Sequence, residues 1–187
     1  EKNQLEDVNF FLSEADRFEK LPFTPLYIIR AILGIKKIQE VINSGYFENK
    51  RVVIYSASDF YPDLLPGLYF KHKFLQALWM AGFYLFAPNP FLGYDKSMKN
   101  LWYWLSQKLA YSLTKRYADS VCITSEPDIK YFQSPRLTNK DIFVMKGGLD
   151  YGHLKQFQKG GRKIYDAVYL GRFHPQKGVL EMIDIWK

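Results

Sequence analysis

The feature that most constrains this chain is an alternation of short β-branched runs with longer segments of helical period. RVVIYS at residues 51–56, DSVCIT at 119–124 and DIFVMK at 141–146 read as strands. Between and before them lie segments whose apolar residues recur every three or four positions. Strands separated by helices pair in parallel, so an α/β, doubly wound parallel sheet is expected. Residues 8–12 have the length of a further buried strand, and SEADRFEK after them reads as a loop. Thr24 followed by Pro25 is a helix-start signal, and the helix should run to about Asn43, with Gly45 beyond its end. Its row Ile28, Ile29, Ile32, Ile35, Val41 and Ile42 should pack in the core. Residues 51–56 are expected to be the central strand of the first half.

At the end of that strand comes SASDFYPDLLPG, with Ser56, Ser58, Asp59 and Asp63 close together. Ligands of open α/β sheets bind beyond the carboxyl ends of strands, so these side chains are candidates to line a cleft. A capped turn shaped by Pro62 and Pro66 explains the same residues. Residues 70–86 are the most apolar and aromatic stretch, either one helix and one buried strand or partly surface-seeking. After the turn-rich APNPFLGY, a helix over about 99–117 carries Leu101, Leu105, Leu109 and Leu113, expected to be the core stripe. Its other side, with Trp104, Lys108, Tyr111 and Lys115, suits an anionic bilayer interface. It also suits a solvated face whose rings pack on a neighbouring loop.

Charge and composition narrow the function. A formal net charge of +7 predicts attraction to an anionic partner, and an aromatic content of 18% points to packed cores, interfaces or a membrane surface. A single cysteine, Cys122, excludes an intramolecular disulfide and a multi-cysteine metal site, and its apolar surroundings suit an inert core thiol. No apolar run reaches the ~18 residues of a membrane span. The chain begins at Glu1 and ends at Lys187 inside a helical pattern, which reads as a piece of a longer protein. Cytoplasmic residence, with a possible peripheral place at the inner membrane face, is expected.

Residues 166–186, DAVYLGRFHPQKGVLEMIDIW, join an apolar strand-like run to a helix start. The connector holds Gly171, Arg172, Lys177 and Gly178. Glycines allow close backbone approach, and the two cations with a helix start suit a phosphate; an ordinary turn with two solvated cations is the alternative.

In order, these segments resemble the group-1 family of retaining glycosyltransferases, which have the two-Rossmann GT-B architecture. The resemblance rests on GRFHPQKG at 171–178, similar to the family's GR-x-x-x-x-KG signature. VMKGGLD at 144–150, the D-x-V-x-x-x-S strand at 119–125 and YSASDFYPDLLP at 55–66 fit the same order. It implies an acceptor-side Rossmann-like domain over 1–150, a linker over 151–163, and the truncated start of a donor-binding, second Rossmann-like domain over 164–187. The implied reaction moves a sugar from a nucleotide-diphosphate donor to the hydroxyl of a saccharide or lipid-linked acceptor. It requires no metal or other cofactor, and no nucleic-acid partner. Arg172 and Lys177, with Gly171 and Gly178, would hold the donor diphosphate, whose leaving group gains charge as the glycosidic bond breaks. Ser58, Asp63, Gly147 and Gly148 would line the cleft. The family's acceptor-domain histidine has no counterpart in residues 83–86; Asp59, at the end of the strand at 51–56, is the candidate to face the cleft and act as the catalytic group. The contrasting expectation is a basic, non-enzymatic module for anionic lipid or nucleic acid, although no nucleic-acid signature appears.

Overall fold

The computed structural model describes residues 8–92, 97–148, 150–156, 164–171, 173 and 177–186. The chain divides into two compact units, residues 1–147 and 148–187.

In the first unit the strands are β1 (Val53–Ser56), β2 (Leu78–Gly82), β3 (Ser120–Ile123) and β4 (Ile142–Val144). All neighbours pair in parallel, in the order β1-β2-β3-β4. The unit is therefore α/β with a four-stranded parallel sheet, consistent with a Rossmann-like fold. Among the described residues the order advances one way and does not reverse. The run at 51–56 is thus an outer strand of the described sheet, not the central one: Val52 and Ile54 on one face are half-buried and Ser56 buried, whereas Val53 and Tyr55 on the other are exposed. Residues 8–12 form no strand. Phe10 and Leu12 are exposed there, because an apolar run becomes a strand only where a neighbour supplies hydrogen bonds. A short 3-10 helix, Ala15–Phe18, replaces part of the expected loop after them.

The helices are α1 (Phe23–Asn43), α2 (Tyr61–Lys73), α3 (Met98–Tyr117) and the single turn α4 (Ile129–Phe132). Helix α1 starts one residue before Thr24, with Pro22 in the cap position, and ends before Gly45 at φ 74°. It buries Tyr27, Ala31 and Val41, whereas Ile28 and Ile32 of the expected row are exposed. Helix α2 takes in the two prolines expected to shape a turn, while residues 57–60 before it stay non-helical. Pro62 sits in its first turn, where no N–H is needed, and Pro66 is tolerated inside it as a buried packing element. A Cβ on Gly34 of α1 would stand 2.8 Å from the Pro66 ring, so α1 and α2 approach through that glycine. Gly67 does the same against the sheet: a Cβ there would collide with Ser56 Oγ and stand 2.8 Å from Trp79 Nε1.

Strand residues of one parity face these helices. Trp79, Ala81, Phe83, Val121, Ile123 and Ile142 join Leu64, Ala110, Phe132 and Leu137 in one buried cluster. Helix α3 enters it by an unexpected row. Ser106, Ala110 and Thr114 are buried; of the expected stripe Leu101 and Leu113 are half-buried, Leu113 against the core, while Leu105 and Leu109 are 50% and 53% exposed. The helix is thus turned by about one residue, roughly 100°, from the expected leucine stripe, because small side chains let it lie close to the sheet.

The second unit contains α5 (Tyr151–Lys155) and α6 (Val179–Ile185). Residues 167–170 form no strand; Val168 is exposed and Leu170 is 98% exposed. A strand needs a partner edge for its N–H and C=O groups, and among the described residues of this unit none pairs. Five residues of the expected connector, 151–155, are helical, and 157–163 lie outside the described residues.

Candidate functional site

The carboxyl end of β1 runs into α2 through residues 57–60, and the four polar side chains there separate into two groups. Ser56 is structural: its Oγ accepts Trp79 Nε1–H at 2.9 Å and donates to the Asp63 carbonyl at 2.9 Å. Ser58 Oγ donates to Asp63 Oδ2 at 2.5 Å and accepts the Phe60 N–H, so these two form the capped turn that the sequence allowed as the alternative. The entry of α2 is also held from outside, because the Tyr27 hydroxyl of α1 accepts the Tyr61 N–H at 2.8 Å. Burial pushes the Tyr27 phenol up to about 12, and it stays neutral in that role.

Asp59 differs. It is half-buried, and Gln107 Nε2 of α3 donates to its Oδ2 at 2.9 Å. Burial raises its carboxyl above the ordinary aspartate value, and nearby Asp63 adds to the effect, while the Gln107 hydrogen bond opposes it. A carboxyl whose proton affinity is raised by burial, at the ligand end of a parallel sheet, is a candidate proton acceptor for a bound ligand.

Gln107 is the residue that sequence reading missed. Its Nε2 also donates to the Leu85 carbonyl at 2.7 Å, and its Oε1 accepts the Ala87 N–H at 2.5 Å. One amide therefore ties the loop after β2 to the loop after β1. A glutamine on a helix carries no sequence signal for such a role; only the α3 rotation that buries Ser106 and Ala110 brings it there.

Beyond Gln107 opens a cavity of about 230 Å³ lined by Phe83, Phe86, Ala87, Trp104, Gln107, Lys108, Tyr111 and Tyr131. The aromatic and basic side of α3 forms its floor. Tyr111 packs edge-on against Phe132, and its hydroxyl donates to the Tyr131 carbonyl, which also accepts Lys115 Nζ at 2.9 Å. Two members of the expected membrane-facing stripe are thus engaged on the α4 turn, the second of the arrangements the sequence permitted.

The remaining candidates are dispersed. Gly147 and Gly148 are exposed, and a Cβ on either would meet nothing within 4 Å, so crowding does not demand glycine there. Gly178 caps α6 at φ 62° with the exposed Lys177 beside it, and Gly171 lies against the Tyr169 ring. Arg172 lies outside the described residues. Asp119, opening the D-x-V-x-x-x-S segment, is a structural clasp: its carboxylate accepts the Trp79 N–H and pairs with Lys71 at 2.7 Å and Arg136 at 3.1 Å. Cys122 is buried, and burial raises its thiol, which keeps it protonated.

Among the described residues no group of three or more His, Cys, Asp or Glu side chains is placed to hold a metal, and no helix is long and apolar enough to cross a membrane. Compared with protein-family models, curated proteins and solved structures, the chain matches none of them.

Proposed function

We propose that this chain carries the acceptor side of a glycosyltransferase, with GT-B architecture and a sheet wound on both faces in the whole protein. A nucleotide-diphosphate sugar is the donor and a saccharide or lipid-linked hydroxyl the acceptor, with retention of configuration and no required metal. The observation that carries this reading is the Asp59–Gln107 pair. A half-buried carboxyl of raised proton affinity, aimed by a helix amide, sits where parallel α/β sheets bind ligands. There Asp59 takes up the proton of the acceptor hydroxyl as its oxygen bonds to the anomeric carbon on the face that the nucleotide diphosphate leaves, the electron pair of the broken bond going to the diphosphate. The resemblance of residues 171–178 to the donor signature adds Arg172 and Lys177 as cations for that leaving group.

The test is transfer from a panel of nucleotide sugars by the whole protein. Asp59→Asn is expected to lower kcat about 100-fold or more, the scale of a lost general base. Arg172→Ala and Lys177→Ala should each cost on the order of 100-fold in kcat/KM, the scale of one lost electrostatic contact at a developing anion. Wild-type rates in all three variants would refute the assignment.

A further inference from the structure

The cavity beside Gln107 has a chemistry of its own. Its walls are four aromatic rings and the aromatic face of Trp104, and none of the described lining residues is acidic. The polar groups are mostly spent internally. Gln107 is used by Asp59, Leu85 and Ala87, and the Tyr111 hydroxyl by the Tyr131 carbonyl. The exposed Lys108 ammonium is the charge left at the wall, with Nζ 3.6 Å from the Trp104 ring centroid. That contact fixes the cation over the cavity floor. A second exposed cation, Lys130, lies 5.1 Å over the Tyr131 ring, which itself lines the cavity. Exposed apolar side chains continue outward: Phe91 meets Trp104 edge-on at 6.0 Å, and Leu85 is 65% exposed.

We infer that this cavity is a binding site for a single-chain anionic amphiphile, its alkyl chain among the rings and its phosphate or carboxylate head on Lys108, with Lys130 adding charge. Charge complementarity selects the head, and the mainly aromatic walls favour an alkyl body over a polar one. The volume sets the length. At about 230 Å³ the space suits a short alkyl chain, on the order of eight carbons, rather than a long one. The inference does not depend on the transferase reading, because it concerns binding without turnover.

The test is calorimetric titration of the full chain with n-alkyl phosphates of increasing length. Affinity is expected to rise roughly three- to fourfold per methylene and to level off near octyl phosphate. Octanol should bind at least about tenfold more weakly than octyl phosphate. Lys108→Met should remove that preference while Lys108→Arg keeps it, and Ala87→Trp, which fills the cavity, should abolish binding by both. Circular dichroism of each variant separates loss of the site from loss of the fold. Absence of saturable octyl phosphate binding, or affinity indifferent to Lys108→Met, overturns the inference. Capture of anionic vesicles without uptake of octyl phosphate also overturns it, by reassigning these cations to a membrane-facing surface.

Discussion

Residues 27–142 and residues 164–186 began with the same kind of sequence signal, an apolar run leading into a helix of regular period, and their structures differ. In the first unit the runs at 53–56, 78–82, 120–123 and 142–144 found one another, and helices α2 and α3 closed one face of the sheet. In the second unit Ile164, Val168, Leu170, Leu180 and Trp186 are all exposed. A single apolar segment next to a single helix has no second surface to bury, so the pattern is a capacity that only partners realise.

The sharpest attack on that contrast is at Trp79, fully buried and tied through Nε1 to Ser56. Trp79→Ala should cost the first unit about 3–5 kcal/mol in urea unfolding, the scale of a large aromatic removed from a core. The α3 rows provide a finer cut. Ala110→Leu, on the buried row, should destabilise by about 1–3 kcal/mol through overpacking, whereas Leu109→Gln, one residue earlier, should stay within about 0.5 kcal/mol. Equal effects at 109 and 110 would mean that the helix is turned differently.

A smaller effect should follow pH. The raised carboxyl of Asp59 means that the folded state favours its protonated form. Its contribution to stability is therefore fully present below the unfolded-state pKa and lost as pH rises through the higher folded-state value. Asp59→Asn keeps an acceptor for Gln107 and removes the titration. Unfolding measured at several pH values should show the variant gaining on the wild type across that window and a constant difference above it. The smallest effect belongs to the second unit. Leu180→Ala should leave the urea midpoint of the first unit unchanged, and hydrogen exchange should find the α6 amides far less protected than those of β2 and β3.

Much of the first unit was legible because its signals are local. The runs at 119–124 and 141–146 are strands wherever a parallel neighbour exists, and the helix ending before Gly45 carries its own stop signal. The readings that failed needed distance information. Pro66 looked like a loop residue because proline costs an isolated helix its hydrogen bond, yet against Gly34 the ring is a packing surface. Leu105 and Leu109 of α3 looked like core because they belong to the larger apolar row, yet close approach to the sheet favoured Ser106, Ala110 and Thr114, and of that row Leu113 packs on the core. Asp59 stood out through its place after a strand, whereas its partner Gln107 lies 48 positions away and has no motif.

By itself, then, the sequence determined the alternation of strands and helices, the parallel pairing that follows, and the place where polar side chains gather beyond β1. Those follow from backbone propensity and the periods of 2 and 3.6. The tertiary structure decided which row of α3 is buried, which of the gathered carboxyls is spent on a turn, and that the rings of residues 83–131 enclose a space beside a lysine. These depend on the separation of surfaces that the chain brings together only when folded, and a periodic pattern fixes a helix's faces without fixing its rotation or its distance from the sheet.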